Sequence, residues 1–158
     1  MRYTRLFNRA VVTFANRKDI EKFVDPNSDG EELRGFVAEN GDKLVGVYLH
    51  WNGGRASIEG FCEACRRMKF RGPASDSYGV ARFIQVIANF FGNDGLSIGV
   101  DTLDKSDCDN YDNGVYVVDD NWDIIGREFA HGEQNDYDVN EFTNEVLARM
   151  PHEDKEVK

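Results

Sequence analysis

Apolar and polar positions change their period several times along the chain, and each change marks an element. Leu6 to Phe14 ends on the apolar residues Val11, Val12 and Phe14 and reads as a first strand, closed by the Asn16-Arg17-Lys18-Asp19 turn. Asp25-Pro26-Asn27-Ser28-Asp29-Gly30 is a loop by composition, and Glu31 to Ala38 reads as a short helix after it. The Asn40-Gly41-Asp42 turn leads into Leu44 to Trp51, whose nearly continuous apolar run predicts a central strand covered on both faces. Ile58, Phe61, Cys62, Cys65 and Met68 then recur at spacings of three and four, which predicts a helix over Ile58 to Phe70 with Ser57 at its N-cap. A second helix, capped by Ser75 or Asp76, runs to Phe91 and closes at Gly92, with Phe83, Ile84, Ile87 and Phe91 on its apolar stripe.

From Leu96 the period returns to that of strands. Leu96 to Leu103, Gly114 to Val118 and Trp122 to Phe129 follow one another, the last two joined as a hairpin by Asp119-Asp120-Asn121. Asp138 caps a final helix over Val139 to Met150 that turns Phe142, Val146 and Leu147 inward. The expected fold is α+β: one domain over residues 1–151, with a mostly antiparallel sheet of about five strands packed against three helices, and a charged tail over 152–158.

Length and composition narrow the function classes. A chain of 158 residues can bury a real core, and no run approaches the roughly 20 apolar residues of a membrane span. Met1 to Asn8 carries Arg2 and Arg5 without an apolar stretch, so no secretory signal is expected. The odd count of Cys62, Cys65 and Cys108 argues for reduced thiols in a cytoplasm. The net charge of -10 is lopsided: residues 1–73 hold 13 Lys/Arg against 10 Asp/Glu, and residues 74–158 hold 6 against 19. A field of that sign repels nucleic-acid phosphate and speeds encounter with a cationic partner.

Two stretches carry candidate chemistry. The first is the strand end Tyr48-Leu49-His50-Trp51-Asn52-Gly53-Gly54 with Arg55, which supplies an imidazole, a flat ring, an amide, a backbone free to approach a ligand and a positive charge at a helix start. His50, Trp51, Asn52, Gly53 and Arg55 are therefore the candidate ligand-binding residues. His50 is the one well-placed acid–base candidate should the chain be an enzyme, with Asp119, Asp123 and Glu128 as conceivable partners. The second stretch is the acidic array Asp101, Asp104, Asp107, Asp109 and Asp112 with Tyr111, the candidate partner-binding surface. Its register is wrong for an EF-hand loop, since counting from Asp107 puts Tyr111 fifth and Asp112 sixth. Spaced along strands and turns, these carboxylates mimic the charge of a nucleic acid.

Cys62 and Cys65 form Cys-x-x-Cys, but the spacing also places both on the apolar face of a helix. A zinc site would need Cys108 with His50 or His131 besides. No Gly-x-Ser-x-Gly, phosphate loop or His-Glu-x-x-His is present, and neither a cofactor nor a metal is expected.

The strand end over residues 44–66, and more loosely the hairpin near 114–129, resembles small phage-type and prophage-type proteins in which an apolar strand closes in Tyr-x-His-Trp-Asp-Gly before a helix. Where those proteins usually carry Asp, this chain has Asn52, so the resemblance implies no carboxylate chemistry at that corner. It implies a cytoplasmic phage-type protein acting on a host component. With the charge and the missing catalytic signatures, the expectation is a non-enzymatic binding protein that engages a basic surface of a host protein, of which an anti-CRISPR-like inhibitor is the specific form. The alternative is a small-ligand or nucleotide-binding protein, sequestering or hydrolytic, that uses the His50-Trp51 corner.

Overall fold

A strand can run through the middle of a layered sheet only where both of its faces find apolar cover. The computed structural model describes residues 8–27, 32–92, 97–129, 132–133 and 138–151, and in it Ala10–Phe14 (β1) meets that condition with all five residues buried. Val45–Leu49 (β2), Ile98–Thr102 (β3), Val115–Val118 (β4) and Ile124–Glu128 (β5) complete one sheet in the order β3-β2-β1-β4-β5. β1 pairs in parallel with β4, and the other three pairings are antiparallel. The helices are Arg17–Ile20 (α1), Phe36–Asn40 (α2), Arg55–Arg67 (α3), Ser77–Phe91 (α4) and Val139–Ala148 (α5). The mostly antiparallel α+β sheet and its three long helices agree with the periodicity, the short helix expected over Glu31 to Ala38 appears later as α2, and α1 is a short addition. Residues 6–7 of the predicted first strand, Leu96, His131 and the tail 152–158 lie outside the described residues.

Alternation along the strands divides the core in two. Ala10, Val12, Phe14, Val47, Leu49, Tyr116 and Val118 face α3, α4 and α5, where Phe61 meets Phe90 and Phe142 edge-on at centroid distances of 5.5 and 5.3 Å. A Cβ at Gly60 would collide with the Phe142 ring, so glycine there lets α3 and α5 approach. Val11, Val115, Val117 and Ile125 face the other way, against Ile20, Phe23, Leu33, Phe36 and Leu103.

Three expectations need correction. The centre of the sheet is β1, whereas β2 lies one strand nearer the edge with Val45 and Tyr48 only partly buried. The third helix begins at Arg55 with Gly54 at its N-cap, and Ser57 lies buried within the first turn, because Gly54 adopts the extended backbone that a cap requires (φ -70°, ψ 164°). Trp122 belongs to the β4–β5 turn and not to a strand. Its ring stacks on Phe83 at 6.3 Å and its Nε1 donates to the Phe70 carbonyl, so core packing holds it out of the ladder.

The sheet has two edges. The outer side of β5 is partly covered, since the Leu33 amide donates to the Arg127 carbonyl at 2.9 Å. Among the described residues no strand pairs with the outer side of β3.

At the end of the sheet where β1 and β4 finish, Asp120 joins three segments. Its carboxylate accepts from Asn16 Nδ2, Ser75 Oγ and the Ala74 and Ser75 amides, and its own amide donates to Asn16 Oδ1. Burial works against ionisation, but these hydrogen bonds outweigh it and hold the carboxyl below the usual carboxylate range. Replacing Asp120 with Ala should therefore cost about 1–3 kcal/mol at neutral pH. With the folded pKa below the unfolded value of about 3.9, that contribution is complete above this value and disappears as pH falls through the folded pKa. Urea unfolding of wild type and Asp120→Ala from neutral to acid pH checks both the size and the sign.

Candidate functional site

The register places three segments on one rim of the sheet. Ala10 faces Leu49, Val11 faces Val115, and Val115 faces Glu128, so Asn8-Arg9, the His50 to Arg55 corner and Asn110 to Gly114 all gather where β1 and β4 begin. The two stretches singled out in the sequence, the His-Trp corner and part of the acidic array, therefore meet in space.

Within the corner, most groups serve the chain itself. The Gly53 amide donates to the Asn8 carbonyl at 3.0 Å and also to Asn8 Oδ1, and a Cβ at Gly53 would stand 2.7 Å from the Ala10 nitrogen and the Arg9 carbonyl carbon. The close approach that glycine permits at this position is thus taken up by β1. Asn52 is fully buried with φ +59°, in the left-handed region that asparagine tolerates best among residues with a side chain. Trp51 packs against the helical core, and its ring meets the His50 ring edge-on at 5.4 Å. His50 Nδ1 lies 2.7 Å from the Tyr48 hydroxyl. Burial, and then Asp107, push the Tyr48 phenol up, so it keeps its proton beside the imidazole. Asp119 and Asp123 lie in the β4–β5 turn at the far end of the sheet, and Glu128 accepts from the Phe36 amide, so none of the three acts with His50.

The acidic loop is ordered by its asparagines. Asn110 is buried, accepts from the Asp112 and Gly114 amides and donates to the Asp107 and Gly114 carbonyls, while the Asn113 amide and Nδ2 both donate to the Arg9 carbonyl. Asp112 is drawn into this framework by Arg9, whose Nε and backbone amide reach its Oδ2 at 2.8 and 3.0 Å. The remaining members point outward. Asp101, Asp104, Asp107 and Asp109 are exposed, and Tyr111 is 74 % exposed at φ +61°. Asp101 and Asp107 flank a groove of ≈ 430 Å³ along β3, lined also by Tyr48, Gly99, Val100 and Lys105.

Arg55 does hold an anion, but an internal one. Its Nε lies 2.7 Å from Glu133 Oε2, which also accepts from the Tyr116 hydroxyl at 2.8 Å and pairs with Arg127 Nε at 3.6 Å. Both guanidinium groups lie against the Tyr116 ring, 5.8 and 5.4 Å from its centroid. Burial first, and then Glu133, raise the Tyr116 phenol well above its usual value, so it remains a donor. Sequence reasoning missed Tyr116, Arg127 and Glu133. The hairpin register makes the Tyr116 and Arg127 pairing legible in principle, whereas nothing local signals that Glu133 returns to them.

The cysteines divide between the two cores. Cys62 and Cys65 are buried on α3 in the helical core, and Cys108 lies across the sheet in the other. They therefore cannot share a metal, and burial raises all three thiols, Cys108 to about 11. A cavity of ≈ 570 Å³ between α3, α5 and the start of β5 is lined by charges that pair with one another, Arg66 and Arg67 with Glu63, and Arg66 with Asp123. No helix among the described residues is long and apolar enough to cross a membrane.

Comparison of the chain with protein-family models, with curated proteins and with solved structures found no match.

The geometry of the corner separates its residues by stability. Gly53→Ala should cost more than about 2 kcal/mol because the added carbon meets the β1 backbone, while His50→Ala, at the partly exposed lip, should cost less than about 1 kcal/mol. Chemical denaturation of the two variants measures the difference, and equal losses would contradict this account of the turn.

Proposed function

We propose that the protein is a non-enzymatic acidic binding protein whose working surface is the β3 edge with the loop after it. The observation that carries this reading is the groove of ≈ 430 Å³ beside Tyr48, bounded by the exposed carboxylates of Asp101 and Asp107, with Asp104 on the adjoining turn. These three aspartates form no ion pair among the described residues, whereas Asp112 is paired with Arg9 and Asp123 with Arg66. The surface charge available to a partner is thus narrower than the sequence array. Asp101, Asp104 and Asp107 supply it, Asp109 and the exposed ring of Tyr111 stand on the same loop, and Asp112 acts as a brace.

The partner that fits is a protein with a basic surface. A lysine or arginine side chain entering the groove would lie along the Tyr48 ring between two carboxylates, a setting that joins cation–π attraction to charge pairing. A phage-type protein, as the resemblance of the His-Trp corner implies, would meet that partner in a host cell, and inhibition of a host defence enzyme with a nucleic-acid groove is the specific form the charge suits. Small-ligand binding at the corner is the weaker reading, since Asn52 is buried and Gly53 is occupied by β1.

Capture from a host-cell extract on immobilised protein tests the proposal. Retention should be strong at low salt and lost at high salt, and Asp101→Lys with Asp107→Lys should slow association by about tenfold or more. Asp123→Lys, at the far end of the sheet, serves as the charge control and should leave association unchanged. Retention that ignores salt, or that falls equally in all the variants, refutes the acidic edge as the binding surface.

A further inference from the structure

The buried polar cluster around Tyr116 is built like a binding site already filled from within. Three groups from ordered elements converge on Glu133 Oε2: Arg55 Nε from the first turn of α3 and Tyr116 Oη from β4 donate to it at 2.7 and 2.8 Å, while Arg127 Nε from β5 stops 3.6 Å away, buried and without a hydrogen-bond partner among the described residues. The donors are held in place. Tyr116 is fully buried and faces Arg127 in the β4–β5 register, Arg127 Nη2 donates to the Asn113 carbonyl, and the side chains of Arg55 and Arg127 are only 17 % and 12 % exposed. The acceptor is held less firmly, because Glu133 follows β5 outside any helix or strand and a quarter of its side chain reaches solvent. Glu59, one turn along α3, also faces this group, its carboxylate 3.7 Å from Arg55 Nη1.

We propose that Arg55, Tyr116 and Arg127 form an oxyanion site for a phosphate group, and that the Glu133 carboxylate is its internal stand-in. The carboxylate oxygen satisfies two of the three donors and leaves the buried Arg127 Nε without a hydrogen bond. A tetrahedral phosphate offers each donor an oxygen of its own, and the two guanidinium charges match its dianion. Stacking on the Tyr116 ring fixes the planes of both guanidinium groups before any anion arrives. Glu133 can leave by rotation of its own side chain towards water, and a tethered carboxylate competes at an effective concentration in the millimolar range. The site is thus self-inhibited: phosphate gains access in proportion as Glu133 gives way. This inference stands on different residues from the acidic edge and does not depend on it.

Titration with inorganic phosphate, followed by the Nε–Hε resonances of Arg55 and Arg127 in nitrogen–proton correlation spectra, tests it. Glu133→Ala should bind phosphate saturably and about tenfold or more tighter than wild type, since the internal competitor is gone. In the Glu133→Ala background, Tyr116→Phe should weaken that binding by about fivefold, the worth of one hydrogen bond, and Arg55→Met should abolish it. If Glu133→Ala does not fold, Glu133→Gln, which keeps the shape and removes the charge, is titrated under the same criteria. Absence of saturable shifts in the vacated variant, or shifts that persist unchanged in Tyr116→Phe and Arg55→Met and so report an adventitious ion only, overturns the proposal.

Discussion

The two-sided burial of β1 constrains everything else in this molecule. Ala10, Val12 and Phe14 need cover on one side and Val11, with Ala15 just past the strand, on the other, so the chain must bring apolar layers to both faces of one five-residue strand. Three long helices cover one face. On the other the cover is assembled from short pieces, the segments around Ile20 to Phe23, Leu33 to Val37 and Leu103, none of which forms a stable element alone. The parallel pairing of β1 with β4 follows from the same demand, since β4 is likewise buried along its whole length and the two most apolar strands shield each other.

That arrangement sends the polar chemistry to the ends and edges of the sheet. With both faces committed, charged side chains lie at the rims of the sheet and on the outer faces of the helices, and several of them are paired: Arg9 with Asp112, Arg66 with Asp123, Arg55 and Arg127 with Glu133. The β3 edge differs because its carboxylates face outward without such pairing among the described residues. Charge on an exposed edge strand also discourages two copies from pairing edge to edge, so the same aspartates that suit a basic partner keep the sheet from extending itself.

The cluster at Tyr116 shows how a net acidic chain places its positive charge. Two arginines lie against one buried aromatic ring and lose little freedom on meeting an oxyanion, because their planes are set beforehand. On the exposed side of the molecule, ion pairs such as Lys22 with Glu39 contribute little, being screened by water. The distinction between these two kinds of charge pair is one of burial and convergence, and residue counts do not reveal it.

Elements with a strong period were legible in the sequence: the alternation near Val11 to Phe14, the stripe Phe83-Ile87 on α4 and the Asp138 cap each report a local preference of the backbone, and local preferences survive into the fold. The materials of the corner were legible too, as residue types. What the sequence could not settle was which groups would be used by the chain itself. Gly53 reads as an opening for a ligand until β1 is seen lying against it, Asp112 as surface charge until Arg9 reaches it across more than a hundred residues, and Arg55 as a free cation until Glu133 closes on it. Periodicity is a property of neighbours along the chain and so is written in the chain. Pairing of charges and occupation of space depend on contacts between distant segments, and only the tertiary structure decides those.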